Sequence, residues 1–325
     1  MRGSRYLLRR LGQGAITIAL IMVVNFLIVH AAPGDAADVL AGESGSSDPV
    51  VMQALRAHLG LDQPLPVQFL IYVSRLASFD FGMSMHTHER VSWLILQRLP
   101  ATLLLMVPSL LLAFVLGIAL GAVAAIRVRR LTDVVISALT LAAYATPLFW
   151  LGLMLIVLFT VKLGWLPSGG MLTIGVSQTV WQQCLDLLRH MVLPVLTLSL
   201  FYVATYARLM RASMLEVAGA NFVRTALAKG ISPWRVTWRH VIRNALLPVV
   251  TMMGMQIGAL LGGAVVVEVV FNWPGLGLLA FDAVFQRDNT VLLGLLFSSS
   301  LLVVVVNLII DLLYAWLDPR IELST

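Results

Sequence analysis

Three stretches contain residue types that could do chemistry. "HTHE" sets His86, His88 and Glu89 together, two imidazoles and a carboxylate that could hold a metal. Ser298, Ser299 and Ser300 place hydroxyl nucleophiles inside an apolar run, and Gly275–Ala280 fits the dinucleotide pattern G-x-G-x-x-A. Each lacks its other half. Two histidines separated by one residue in a polar loop read as solvated side chains, and no histidine within an apolar run pairs with the serines. The glycine pattern follows an apolar run and Trp273-Pro274 instead of a strand in a βαβ unit. No G-x-x-x-x-G-K-[ST] occurs, so the chain has no ATP site of that kind. The residues therefore give no catalytic group, no metal ligand set and no cofactor site.

What remains is a concentration of charge between two apolar runs, "NFVRTALAKGISPWRVTWRHVIRNALLP", Asn221–Pro248. Asn221 is placed to cap a short helix, and Gly230 to stop it in the left-handed conformation. Ser232 then caps a second helix with Pro233 at its first position. In the second helix Arg235, Arg239 and Arg243 recur every fourth residue, with Trp234 and Trp238 beside them at the same spacing. Such a stripe fits lipid-headgroup contact and a topology signal. The first helix reads differently: Phe222, Val223 and Leu227 would expose apolar surface next to Arg224 and Lys229, a face that a soluble partner could bury.

The elements around this loop belong in a bilayer. Of 325 residues 59% are hydrophobic and 12% charged, and the mean hydropathy is +0.92, which excludes an ordinary soluble domain. A hydrocarbon core of about 30 Å needs about 20 apolar residues per helix. Six runs meet that length: Gly14–Ala32, Ala101–Ile126, Val134–Val161, Met191–Met210, Leu246–Val270 and Val291–Leu317. The first is long for a signal peptide and lacks an A-x-A site, so it reads as a retained anchor. The lone Cys184 rules out an intrachain disulfide.

Arg2, Arg5, Arg9, Arg10, Arg127, Arg129, Arg130, the basic loop and Arg320 fall on one side. On the other, Asp35, Asp38, Glu43, Asp48, Asp62, Asp80 and Glu89 outnumber the arginines of the first long loop. The positive-inside rule then predicts cytoplasmic termini, and the net charge of +6 calls for membrane lipid as a neighbour and for no nucleic acid. The chain divides into an N-terminus with first helix (1–32), an external loop (33–100) and a core (101–325) that holds the basic loop at about 211–245. In the external loop "GESGSSDP" reads as a flexible turn, while "VMQALRAHLG" and "PVQFLIYVSRLASF" read as amphipathic helices. These helices could lie flat on the membrane or form a small structural cap.

In the fifth run Gly254, Gly258 and Gly262 repeat every fourth residue, with Gln256 beside them. A row of small residues serves helix packing, or it lines a path; both readings stay open. Asn25, Asn307 and Asp311 are further polar residues within the runs. After the fifth run come Glu268 and "FNWPGLG". Here Pro274 fixes a backbone angle and Gly275 and Gly277 permit tight geometry, which predicts a rigid turn at the external end of the path.

Asn221–Pro248 resembles the cytoplasmic EAA loop of importer-type ABC transporter permeases, in its dipeptide and oligopeptide version. The motif's glycine falls at Gly230, and its Glu-Ala-Ala appears as Arg224-Thr225-Ala226. The interval from Gly230 to Pro248 is longer than in the general motif, and both departures are usual in the peptide subfamily. "RRLGQGAITIALIMVVNFLIVHAAPGD", "LGLDQPLPVQF", "RLPATLLL", "FWLGLMLIVLFTVKLGWLPSGG", "VFNWPGLG" and "DLLYAWLDPRI" extend the likeness over nearly the whole chain.

The resemblance implies an all-α integral membrane fold with six transmembrane helices, type I ABC importer permease-like, with external lateral helices and a cytoplasmic coupling helix. That helix would be carried by Phe222, Val223, Arg224, Thr225, Ala226, Leu227 and Ala228 and closed by Gly230. The implied partners are a homologous permease subunit, two ATP-binding subunits or one fused ATPase, an external substrate-binding protein and a peptide substrate, in the cell membrane of a prokaryote. Nickel and glutathione importers have similar permeases. A secondary transporter is the rival class, but it would show inverted repeats and mid-membrane carboxylates, whereas the carboxylates here sit at the ends of the runs.

Overall fold

A computed structural model describes residues 2–31, 53, 62–175 and 179–317. The helix expected over 51–60, the turn region "GESGSSDP", the Pro-Gly-Asp ending and Arg320 lie outside the described residues, as does the side chain of Asp311.

The described elements are helical. In chain order they are α1 (Arg2–Ala31), α2 (Leu65–Ala77), α3 (Val91–Ile126), α4 (Leu131–Ala145) and α5 (Leu148–Leu155), which runs on through a π-helical turn Ile156–Lys162. Then follow α6 (Val180–Ala218), α7 (Asn221–Ala228) and α8 (Pro233–Val236), which continues through π-helical Thr237–Ile242 into α9 (Arg243–Val270). The last are α10 (Leu276–Phe285) and α11 (Asn289–Leu317). Helices suit this sequence because a segment in lipid must satisfy its own backbone hydrogen bonds. Among the described residues the sole strand-like pairing is one antiparallel bridge, Met83 to Arg90.

The third apolar run departs from a single span. It forms α4 and α5, bent by 106°. The cause is Pro147, which disfavours helical geometry at the residue before it; Thr146 is extended, at φ −79° and ψ 130°. Pro100, Pro108 and Pro194, in contrast, stay inside α3 and α6. The fourth run also differs, because α6 starts well ahead of Met191. Thr179 and Gln182 form a capping box there: the Gln182 amide donates to the Thr179 hydroxyl (3.5 Å) and the Thr179 amide to Gln182 Oε1 (2.9 Å).

The chain separates into two compact units. In the first, residues 1–97 and 282–325, α1 packs along α11 and α2 packs on α1 through Phe26, whose ring lies 5.2 Å from Phe69 and 5.8 Å from Tyr72. Asp288 is buried, caps α11 at the Val291 amide (3.1 Å) and accepts from the Ser84 hydroxyl (2.6 Å).

In the second unit, residues 98–281, α6 is the central helix, with α3, α4, α5 and α9 against it. Leu105, Leu193, Leu198, Tyr206, Val249 and Trp273 form the fully buried centre of its core. Gly117 and Gly121 let α3 approach α6 closely. A Cβ on Gly121 would overlap the Ala207 carbonyl and come within 2.8 Å of Met210 Cβ.

Gly121→Val should therefore force α3 and α6 apart, at about 1–3 kcal/mol for overpacking. Thermal unfolding of the detergent-purified chain checks this. Gly12→Val, whose Cβ meets nothing within 4 Å, should leave the midpoint near wild type.

Candidate functional site

The loop helix α7 is short and two-faced. Ala220, extended at φ −69° and ψ 149°, occupies the cap position without a side-chain hydrogen bond, so Asn221 is the first helical residue instead of the cap. Its carbonyl accepts from the Thr225 hydroxyl at 3.0 Å. Gly230, at φ +78°, closes the element in the left-handed region. Val223 and Ala226, three residues apart, are buried in the core. Phe222 and Leu227 remain 47% and 44% exposed, together with Arg224, Thr225, Ala228 and Lys229. Val223 thus faces inward and does not belong to the outward surface expected from the sequence; at about 100° per residue Val223 and Ala226 lie between Phe222 and Leu227, which flank the buried stripe and stay partly exposed.

The second loop helix begins as expected, with Ser232 at the cap position and Pro233 in the first turn, but the Ser232 side chain makes no capping hydrogen bond. Val236, Val241 and Ala245 are buried, whereas Arg235, Arg239 and Arg243 are exposed. Trp234 and Trp238 are exposed too, their rings 5.4 Å apart edge to face.

The glycine row of α9 is not uniform. Gly254 is buried and Gln256 half-buried, while the surroundings of Gly258 lie outside the described residues. At Gly262 a Cβ would meet nothing within 4 Å. The close approach belongs to its neighbour: a Cβ on Gly263 would sit 3.2 Å from the Tyr202 hydroxyl and 3.3 Å from Leu198 Cδ1. Gly262 therefore faces open space, and helix packing at this end uses Gly263, one position off the expected row.

The turn after α9 is built around Glu268, whose side chain is fully buried. Its Oε1 accepts from the Thr102 hydroxyl (2.8 Å), and its Oε2 from the Gly277 and Leu278 amides (2.6 and 3.1 Å). The Leu276 amide donates in turn to Thr102 Oγ1 at 2.8 Å. The first amides of α10, which a helix cannot satisfy itself, are all engaged, and the helix N-terminus faces a carboxylate. Trp273 is fully buried and its indole N–H donates to the Ala101 carbonyl at 2.8 Å. The Gly170 amide donates to the Phe271 carbonyl at 2.8 Å, which brings "PSGG" onto the same turn.

Pro274 is partly buried; Gly275 and Gly277 are buried, and neither is left-handed. The residue with positive φ here is Asn272, at 46°. The glycines are needed for space: a Cβ on Gly275 would overlap the Glu268 carboxyl group, and one on Gly277 would lie 2.9 Å from Glu268 Oε2. Thr102, Ala101 and Trp273 were not singled out by sequence. The one hint at Thr102 was a hydroxyl inside the apolar stretch "RLPATLLL".

The chain belongs to the family of binding-protein-dependent transport system inner membrane components, which matches residues 117–323, and the N-terminal part of that family matches residues 3–106. It is 39% identical over 331 residues to the di/tripeptide transport system permease protein DppB of Pseudomonas aeruginosa, with 98% of each chain covered. It is 42% identical over 317 residues to the glutathione transport system permease protein GsiC of Escherichia coli, again with 98% of each covered. Its fold is similar to a chain of the MetNI methionine ABC transporter in an inward-facing conformation: TM-score 0.54, 19% identity, 70% of this chain and 97% of that one. The protein is thus a multi-pass inner-membrane permease subunit of an ABC importer. It is a transport subunit, and the hydrolysis of ATP falls to the ATPases.

Adding a methyl group at Gly275 should press on Glu268, whereas removing the carboxylate should leave the α10 amides unpaired, each a loss of about 1–3 kcal/mol. Gly275→Ala with Glu268→Ala relieves the overlap, so the double variant should be less destabilised than the sum of the singles, by about 0.5–3 kcal/mol. Unfolding midpoints of the four chains check the sign of that difference.

Proposed function

We propose that this chain forms half of the translocation path of an importer for di- and oligopeptides and that α7 is the element through which the ATPases act on it. The observation that carries the coupling role is the exposed apolar margin of α7, on either side of its buried stripe. Phe222 and Leu227 stay about half exposed beside Arg224 on a helix outside the apolar runs, although Val223 and Ala226 anchor that helix to the core. Apolar side chains so placed on a rigid, polar-rimmed element fit a helix-in-groove contact.

The relatives' names support short peptides as cargo, since glutathione is itself a tripeptide and the other relative is named for di- and tripeptides. An external binding protein would deliver the cargo to the outer end of the path, where Glu268, Pro274, Gly275 and Gly277 hold the turn, and Gly254, Gln256, Gly258 and Gly262 lie along the path or its packing seam. The charge distribution supports cytoplasmic termini, an external segment over 33–100 and a cytoplasmic loop at about 211–245 within the permease core of 101–325.

Phe222→Ala with Arg224→Glu removes an aromatic anchor, which at interfaces commonly costs more than about 1 kcal/mol, and reverses a rim charge. The variant should insert and pair with its permease partner, yet lose most of its ATPase on size-exclusion chromatography and all substrate-stimulated hydrolysis in proteoliposomes. Uptake of radiolabelled dialanine, trialanine and glutathione by the wild-type complex tests the cargo class. A variant that keeps its ATPases and full stimulated turnover would reduce the loop to a topology signal.

A further inference from the structure

Asp133, in the first turn of α4, is almost fully buried and is gripped from two other elements. Arg211 of α6 donates through Nε to Oδ1 at 2.7 Å and through Nη2 to Oδ2 at 2.8 Å, two parallel charge-assisted bonds. The Arg129 amide, in the connection from α3, donates to Oδ2 at 2.9 Å. Arg129 itself has φ +62°, a left-handed conformation rare outside glycine, and the carboxylate holds it there. Near the other end of α4, Tyr144 stacks on Phe201 of α6 with rings 5.4 Å apart and 23° between planes, and the Arg208 guanidinium lies 4.8 Å from the Tyr144 ring centre. α4 is therefore stitched to α6 at both ends.

Among the described residues α4 packs chiefly on α6. Leu131, Val134, Val135, Leu139 and Leu141 are all exposed. Beyond Ala145 the chain breaks at Thr146–Pro147 and turns by 106° into α5. In the other direction α6 runs without interruption from Arg211 to Ala218, about 10 Å at 1.5 Å per residue, and Gly219 and Ala220 alone separate it from α7.

We propose that the Asp133–Arg211 pair is a positioning tie in the transport cycle: it makes α4 follow α6 when α7 is displaced, so that a force applied at α7 reaches the α4–α5 bend as well as α9. The inference rests on the reading that α7 is the docking helix. Hydrogen-bonded through two of the three guanidinium nitrogens, the pair resists bending as well as stretching, which a single contact between two exposed charges would not. Removing one member strands a buried charge, whereas replacing both by apolar residues of similar volume is often tolerated, so the tie can be cut without unfolding the helix pair.

The test uses the full chain with its permease and ATPase partners in proteoliposomes, and radiolabelled dialanine, trialanine and glutathione as probes. Asp133→Leu with Arg211→Met should keep its ATPase subunits and its rate of ATP hydrolysis. Probe taken up per ATP hydrolysed should fall by about fivefold or more, the lower range of coupling between sites. Exchanging the charges, Asp133→Arg with Arg211→Asp, should restore most of that ratio, which a loss of packing alone would not allow. An apolar pair that transports with the wild-type ratio overturns the proposal. Should the apolar pair fail to assemble, Asp133→Asn, which keeps the shape of the side chain, is read in its place, and an unchanged ratio again overturns it. The Phe222→Ala/Arg224→Glu chain is run alongside. Loss of ATPase from that chain is the mark of the docking surface, and uptake per ATP in a fully assembled complex is the mark of the tie, so failure of either reading is seen separately.

Discussion

A carboxylate shut off from water has to find its hydrogen bonds inside the protein, and Glu268 finds them on two other helices. Thr102 comes from α3, and the Gly277 and Leu278 amides come from the start of α10. The same carboxylate dictates its neighbours, because the space it fills leaves no room for a Cβ at Gly275. Its burial also explains why Trp273 and the Phe271 carbonyl are locked nearby: the chain between α9 and α10 is short, and once both of its ends are fixed the indole and the peptide groups between them settle against Ala101 and Gly170. The C-terminal end of α9 is accordingly a closed polar network within an apolar surround, the arrangement in which partial satisfaction would cost most.

The opposite end of α9 is organised by exposure. There the helix begins in a stripe of exposed arginines and tryptophans, and α7, two elements earlier, buries two small apolar residues and leaves two larger ones partly exposed. Between the two ends α6 is the member on which α3, α4, α5 and α9 all pack. A transport subunit driven by the work of another subunit needs such stiffness: motion imposed at one place is useful only if packed elements carry it as bodies.

Much of this was legible in the sequence. Hydrocarbon thickness fixes helix length, so the apolar runs located helices, and Gly230 and Pro233 marked the loop's turn because each residue has one conformational use there. Run length was blind to local chemistry inside a run. The Ala-Thr-Pro step at Ala145–Pro147 bends the third run although every residue near it is compatible with lipid, and the T-x-x-Q pattern at Thr179–Gln182 starts α6 before hydropathy rises. Glu268 stood out as an acid at the end of an apolar run, but its partner Thr102 is 166 positions away, and no local period reports such a pairing. In α7 the apolar residues share one stripe, and only packing decides how much of it is covered: Val223 and Ala226 at its centre are buried, and Phe222 and Leu227 at its edges are not. At Gly262 the row leaves the packed surface: adjacent glycines at 262 and 263 leave the packing position undetermined until α6 is in place, and Gly263 is the one that meets it.

Docking through α7 requires that its Phe222 side be covered by an ATPase in the assembled importer. It is tested most directly by placing a thiol on that face, as Phe222→Cys in a chain whose only native cysteine is removed by Cys184→Ser, and timing its reaction with a membrane-impermeant maleimide in inside-out vesicles. Labelling should be rapid when the chain is present without ATPase and strongly suppressed when the ATPases are bound, and a control thiol at exposed Arg287, which the charge distribution assigns to the external side, should be unreactive in both. Equal labelling rates with and without the ATPases would contradict docking through α7.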